Sequence, residues 1–204
     1  MEVDLNNKKP DIRYLNEMKN VVYDKEWLKT APNIELYYMY RSIEEQNGIR
    51  YDITVIPARM LGQEFSKTKG HYHIGKYQEI YTVLEGKAIY VMQKKQEDSH
   101  IIDVYAIEAK KGDFVVIPSD YGHITINPSE TEDLKMANWV SPECKSDYSL
   151  YEKHQGACWY YVKSATADGG ANWIKNEKYA SVPKLRFEEP SKSIPENIDF
   201  LKIG

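Results

Sequence analysis

Apolar and polar residues alternate at period two through most of the central chain. In EIYTVLEGKAIYVMQ, Glu79 to Gln93, the side chains of Glu79, Tyr81 and Val83 share one face, because successive residues of a strand point to opposite sides. Glu85-Gly86 then turns the chain into a second alternating run. The same pattern, rich in Val, Ile, Thr and Tyr, predicts strands at Ile34–Ser42, Arg50–Ala58, Gly70–His73, Glu79–Leu84, Ala88–Gln93, Ile101–Glu108, Phe114–Ile117, Ile124–Asn127, Leu134–Val140 and Cys158–Lys163. Turn signals such as Gln46-Asn47-Gly48, Lys111-Gly112-Asp113 and Asn127-Pro128-Ser129 separate them. Many short strands at close spacing predict an all-β antiparallel sandwich or barrel. Short peripheral helices are expected around Arg13–Met18, Lys25–Lys29 and Ala171–Tyr179, none with a long periodic face. Residues Ser181–Gly204 are rich in proline and charge and read as an irregular C-terminal tail over the surface.

Composition narrows the function classes. A chain of 204 residues can bury a sizeable core as one domain with tails. Net charge is −4 and the lysines and arginines are scattered, so the clustered basic footprint of a nucleic-acid binder is missing. Lys94-Lys95 reads as a solvated turn. No apolar stretch is long enough to span a bilayer, and MEVDLNNKKPDIRYLNEMK lacks the apolar segment of a signal peptide. The expectation is a cytoplasmic protein without nucleic-acid or membrane partners. Cys144 and Cys158 make no Cys-x-x-Cys pair and read as reduced thiols.

The segment KTKGHYH, Lys67 to His73, changes this plain picture. His71 and His73 point to one face of a strand, and Glu79 opens the next strand. A third histidine follows in KGDFVVIPSDYGHITINPS, where His123 begins the strand after a Pro118–Gly122 loop. Antiparallel strands of a small barrel can bring His123 beside the first pair. Imidazole plus carboxylate is the donor mix of iron, manganese, nickel, cobalt or zinc. Taken singly, Tyr37, Tyr38, Tyr40 and Tyr81 read as packing residues, His100 and His154 as surface residues, and Trp139, Trp159 and Trp173 as core or tail-docking aromatics.

Two motifs together resemble the cupin superfamily: Gly62, His71, His73, Glu79 and Gly86, then Gly112, Pro118, His123 and Asn127. The spacer between His73 and Glu79 is slightly longer than usual there. The resemblance implies a jelly-roll β-barrel with a metal in its interior, laid out as one domain: arm 1–32, barrel 33–163 and surface tail 164–204. GQEFSKTKGHYH followed by EIYTVLEGKAIYVMQ is similar to the cupin-type phosphoglucose isomerases, over about Arg13 to Lys163. That likeness implies one divalent ion per chain, iron(II) first, on His71, His73, Glu79 and His123. It implies sugar-phosphate contacts at Tyr37, Thr54, Thr68, Gly70 and Tyr148, with Tyr81 beside the sugar. It also implies a homodimer of glycolysis and gluconeogenesis. Two positions depart from the family: Ser146 stands where a histidine often lies, and Ser141 is near the place of a tyrosine.

The expected activity is interconversion of glucose 6-phosphate and fructose 6-phosphate by hydrogen transfer between C1 and C2. Glu79 is either a fixed ligand or the base that shuttles the proton, and a hydride shift is the competing route. Two other classes use the same cage: a non-haem metal dioxygenase, and a sugar-phosphate-binding cupin without turnover.

Overall fold

Alternation is realised as sixteen strands among the described residues, which are 5, 7–165 and 170–204 of this computed structural model. In chain order they begin with β1 (Asp11–Tyr14), β2 (Glu35–Gln46), β3 (Ile49–Ile56), β4 (Met60–Leu61), β5 (Glu64–Phe65), β6 (Tyr72–Ile74), β7 (Glu79–Glu85) and β8 (Lys87–Glu97). They continue with β9 (His100–Lys110), β10 (Phe114–Ile117), β11 (Tyr121–Ile126), β12 (Leu134–Val140), β13 (Lys145–Asp147), β14 (Trp159–Lys163), β15 (Ala171–Lys175) and β16 (Arg186–Glu188). One short helix, α1 (Ser149–Lys153), lies between β13 and β14. The β2–β3 turn is made by Asn47 and Gly48 at φ 53° and 71°, the left-handed pair whose twist suits a two-residue hairpin.

A six-stranded sheet of order β1-β2-β3-β12-β7-β10 faces a four-stranded sheet of order β11-β8-β9-β16. Their inner faces share one apolar cluster that joins Tyr37, Ile56, Val83 and Met136 to Tyr90, Ile107 and Ile124. Tyr81 meets Tyr90 with ring centres 5.2 Å apart, and the Tyr90 hydroxyl reaches Met136 Sδ at 3.6 Å. Each such side chain taken wholly out of water contributes about 1.5–3 kcal/mol. The sheets pack as in a jelly roll without closing edge to edge, which is the expected all-β arrangement. No described helix is long and apolar enough to cross a membrane.

Four readings change. Ala171–Lys175 is a strand instead of a helix, paired along its length with β14. Trp173 packs on Tyr161 at 4.7 Å across that pair, and cross-strand aromatic contact outweighs weak helical propensity. Lys94 and Lys95 lie inside β8, their ammonium groups over Tyr121 and Tyr72 at 5.6 and 5.4 Å, so β8 runs past the expected turn. His154 is buried, with Nδ1 2.9 Å from the Lys178 carbonyl and its ring stacked on Tyr179. The tail after Ser181 is mostly irregular as expected, yet β16 pairs parallel with β9 and Leu201 is buried against Ile49 and Ile80.

A buried ion pair ties the N-terminal arm to the strand that feeds the histidines. Lys67 Nζ donates to Glu64 Oε1 at 2.5 Å and to the Val21 carbonyl at 2.8 Å, while Tyr23 N–H donates to Glu64 Oε2. Both side chains are 2% exposed. Removing one partner of such a pair strands the other charge in the interior. Lys67→Met is expected to lower the unfolding free energy by about 3–5 kcal/mol, read from urea denaturation, and the Lys67→Met/Glu64→Gln double variant should lose less.

Candidate active site

Two backbone hydrogen bonds set the centre of the site. His71 N–H donates to the His123 carbonyl at 3.2 Å and His123 N–H to the His71 carbonyl at 3.0 Å, an antiparallel bridge between the residue before β6 and the third residue of β11. Directly opposed residues in such a bridge carry their side chains to the same face. The two imidazoles therefore lie side by side, ring centres 4.5 Å apart. His73, two residues on, returns to that face at 5.3 Å from each. Its Nδ1 faces the Tyr77 carbonyl at 2.9 Å, which fixes the ring and leaves Nε2 for the interior.

Glu79, the first residue of β7, completes the cluster. Its Oε2 lies 3.4 Å from Nε2 of both His73 and His123. One donor atom from each of His71, His73, Glu79 and His123 lies within 4.8 Å of the others. Glu79 Oε2 and His123 Nε2 are buried without a hydrogen-bond partner. Unsatisfied buried groups cost about 1–3 kcal/mol each, and a divalent cation would satisfy both. The four residues fit such an ion in number and donor type.

Electrostatics follow from this crowding. Burial opposes the charge on Glu79, but the His123 and His73 imidazoles outweigh it and hold the carboxyl well below its usual range. Burial also opposes a charged His73, yet the Cys144 thiol and Glu79 beside it push its pKa up to about 10. Burial drives His71 well below its ordinary value, helped by repulsion from His123 and His73. Burial likewise lowers His123 in spite of Glu79. The Tyr81 phenol is pushed far up by burial and then by Glu79, so it stays a neutral donor.

Every sequence-predicted site residue except Glu79 lines one cavity, and Glu79 abuts it through the imidazoles. Thr68 Oγ1 accepts the Thr125 N–H at 2.9 Å, which leaves its own proton to donate. The Tyr37 hydroxyl accepts the Lys69 N–H at 3.3 Å in the same way. Gly70 has φ 83°, and a Cβ there would come within 2.4 Å of Ile124 and 2.7 Å of Tyr151. Only glycine takes that conformation without strain in so little space. Tyr148 lies with its ring centre 5.6 Å from that of His71, flanked by Lys69 Nζ at 5.2 Å and the Arg13 guanidinium at 5.6 Å. Ser146 lines the cavity opposite His73 in the β13–β6 pair. Ser141 does not line it, and Val140 does.

The cavity also holds residues that sequence reasoning missed. Arg41, Arg50, Asp52, Lys69, Asn138 and Cys144 all face it. Arg41 shares the phase of Tyr37 in β2, and Arg50 and Asp52 share that of Thr54 in β3. A polar residue in phase with a site-facing strand position was the available signal. Asp52 accepts Ser42 N–H at 2.7 Å and Arg50 Nε–H at 3.0 Å. Ser42, at φ 50°, lies where the β2–β3 register shifts. This bulge follows Arg41 directly and sets the Ser42 N–H against Asp52.

A family model described as glucose-6-phosphate isomerase (GPI) matches residues 12–181. The chain belongs to this family. Among curated relatives, the glucose-6-phosphate isomerase of Thermococcus litoralis is 30% identical over 139 residues, covering 65% of this chain and 70% of that one. The Pyrococcus abyssi enzyme of the same name is 28% identical over 132 residues, covering 62% and 67%. Similarity to solved structures includes the Lactobacillus farciminis oxalate decarboxylase, at TM-score 0.44 and 15% identity over 70% of this chain and 34% of that one.

The raised His73 pKa sets a pH dependence for this family member. A raised folded-state value means that the His73–Glu79 attraction is complete below the ordinary histidine value of 6.5 and is lost as pH rises through about 10. Metal-free protein is therefore expected to lose thermal stability progressively as pH rises from 6.5 to about 10. Zinc binding at neutral pH must displace the same proton. A calorimetric titration in buffers of different ionisation enthalpy should report release of about one proton per ion.

Proposed function

We propose that this cavity interconverts glucose 6-phosphate and fructose 6-phosphate, with His71, His73, Glu79 and His123 holding one divalent ion. The observation that carries the reading is the convergence of those four donors on the cavity lined by Thr68 and Gly70, in a chain of the glucose-6-phosphate isomerase family. Such an ion, when bound, supplies Lewis-acid polarisation of the sugar carbonyl. The protein's own groups do the rest. The Thr54 and Thr68 hydroxyls, the Gly70 N–H and the Tyr37 phenol are neutral donors suited to phosphate oxygens. Phosphate binding then places C1 and C2 against the cluster and spends remote binding energy on orientation. Glu79 is held ionised and moves the proton between the two carbons. Tyr81 offers a phenol proton to a sugar oxygen, and Tyr148 closes the cavity wall.

On the strength of the family resemblance we extend the reading to a cytoplasmic homodimer working with iron(II), and to one domain built as arm, barrel and tail. The deciding experiment is an isomerase assay on both sugar phosphates after metal is stripped and each divalent ion is restored in turn. No turnover with any ion sinks the proposal. Metal-saturated Glu79→Gln should keep sugar affinity and lose turnover by about two to four orders of magnitude; a rate near wild type removes Glu79 as the base. Thr68→Val deletes one hydroxyl donor to a charged phosphate, a loss of about 1.5–3 kcal/mol. Its KM for the phosphorylated sugar should rise while inhibition by unphosphorylated analogues is unchanged. Equal effects on both would show that Thr68 only shapes the loop.

A further inference from the structure

Glu79 has two carboxylate oxygens, and they have different surroundings. Oε1 accepts a 2.6 Å hydrogen bond from Asn138 Nδ2. Oε2 has no hydrogen-bond partner and faces His73 and His123. An ionised carboxylate only accepts, so the amide must present its NH2 group to Glu79. Its Oδ1 is thereby committed to the other direction. Asn138 is 5% exposed and sits in β12, directly opposite Tyr81 of β7 on one side and Asp52 of β3 on the other. Both neighbouring strands pair with β12 through this stretch, so the amide is carried on backbone held from both sides. Asp52 cannot take over its task, because an ionised carboxylate has no proton to donate and its oxygens accept from Ser42 N–H and Arg50 Nε–H.

We infer that Asn138 is a positioning residue that ties Oε1 of Glu79, so that Oε2 alone is turned toward the three imidazoles. The inference rests on the metal-site reading above. A buried carboxylate without this anchor can rotate about its last bond and exchange its two oxygens between the imidazoles and the β12 wall. With the anchor, every task assigned to Glu79 falls on one oxygen in one place. In this role Asn138 acts through Glu79 and is not itself a ligand of the ion. Groups that orient a metal-binding side chain in this manner typically alter affinity 10–100-fold when removed.

The test is Co2+ titration of metal-free wild type, Asn138→Leu and Asn138→Ala, followed by visible absorption without substrate. Leucine keeps the volume and lacks the donor; alanine leaves room for water and serves if leucine does not fold. The dissociation constant of each variant is expected to rise about 10–100-fold, with an altered cobalt band. A variant that binds Co2+ with wild-type affinity and an unchanged band overturns the positioning role while the metal site stands. Wild type that fails to bind Co2+ overturns the metal site, and this inference with it.

Discussion

The backbone pairing of His71 with His123 is the constraint on which the site depends. Two hydrogen bonds align residues far apart in sequence so that their side chains leave the bridge in the same direction. Period-two alternation then adds His73 without any further device. Glu79 arrives from the opposite sheet, since β7 belongs to the six-stranded sheet and β11 to the four-stranded one. The four donors therefore stand at the junction of the two sheets, and packing between the sheets sets their separation. A change in sheet packing would be felt there first, because interiors are too dense to absorb it elsewhere.

Burial gives this junction its chemistry. In water, three imidazoles and a carboxylate would be a weakly coupled set. Here desolvation keeps His71 and His123 neutral, and the charge that persists collects on Glu79 and His73. Neutral imidazoles are the form that can donate a lone pair. The approach to the cluster is held equally firmly. Lys67 is anchored to Glu64 and Val21, Thr68 is paired with Thr125, and Gly70 fits only because it lacks a side chain. Loop residues positioned by such a scaffold are well suited to grip a ligand.

Much of this was legible in the sequence because it is periodic. Strand alternation located β2, β3, β7 to β12 and β14, and the spacing of His71, His73 and Glu79 placed three donors on one side. His123 needed the further step of imagining an antiparallel neighbour. The residues that escaped notice were those whose partners are remote. Asn138 looks like one polar residue in an apolar strand until its bond to Glu79 is seen. Lys67 carries no local sign of burial, which comes from Glu64 and Val21 closing over it. His154 lacks any local pattern, and its burial comes from Tyr179, which follows β15. β15 was misjudged because five residues carry too little periodicity, and the open edge of β14 decided its state.

Of the two serines at which the chain departs from the resembled pattern, Ser146 lines the cavity and Ser141 does not, while Arg41, Arg50 and Asp52 face the same space. Ser146 provides a short hydroxyl opposite His73, and Val140 an apolar surface. Arg41, Arg50 and Asp52 bring two guanidinium groups and a carboxylate to the wall formed by β2 and β3. Fixed charge is thus gathered on the β2–β3 wall. Arginine stays charged at any working pH, so the two guanidinium groups can hold a hydroxyl or an oxyanion but cannot exchange a proton with it. In the proposed proton-transfer route, the proton then passes through a group at the cluster. In the proposed reaction the carboxylate that moves the proton is Glu79, since Asp52 is held by Ser42 and Arg50 while Glu79 Oε2 has no hydrogen-bond partner.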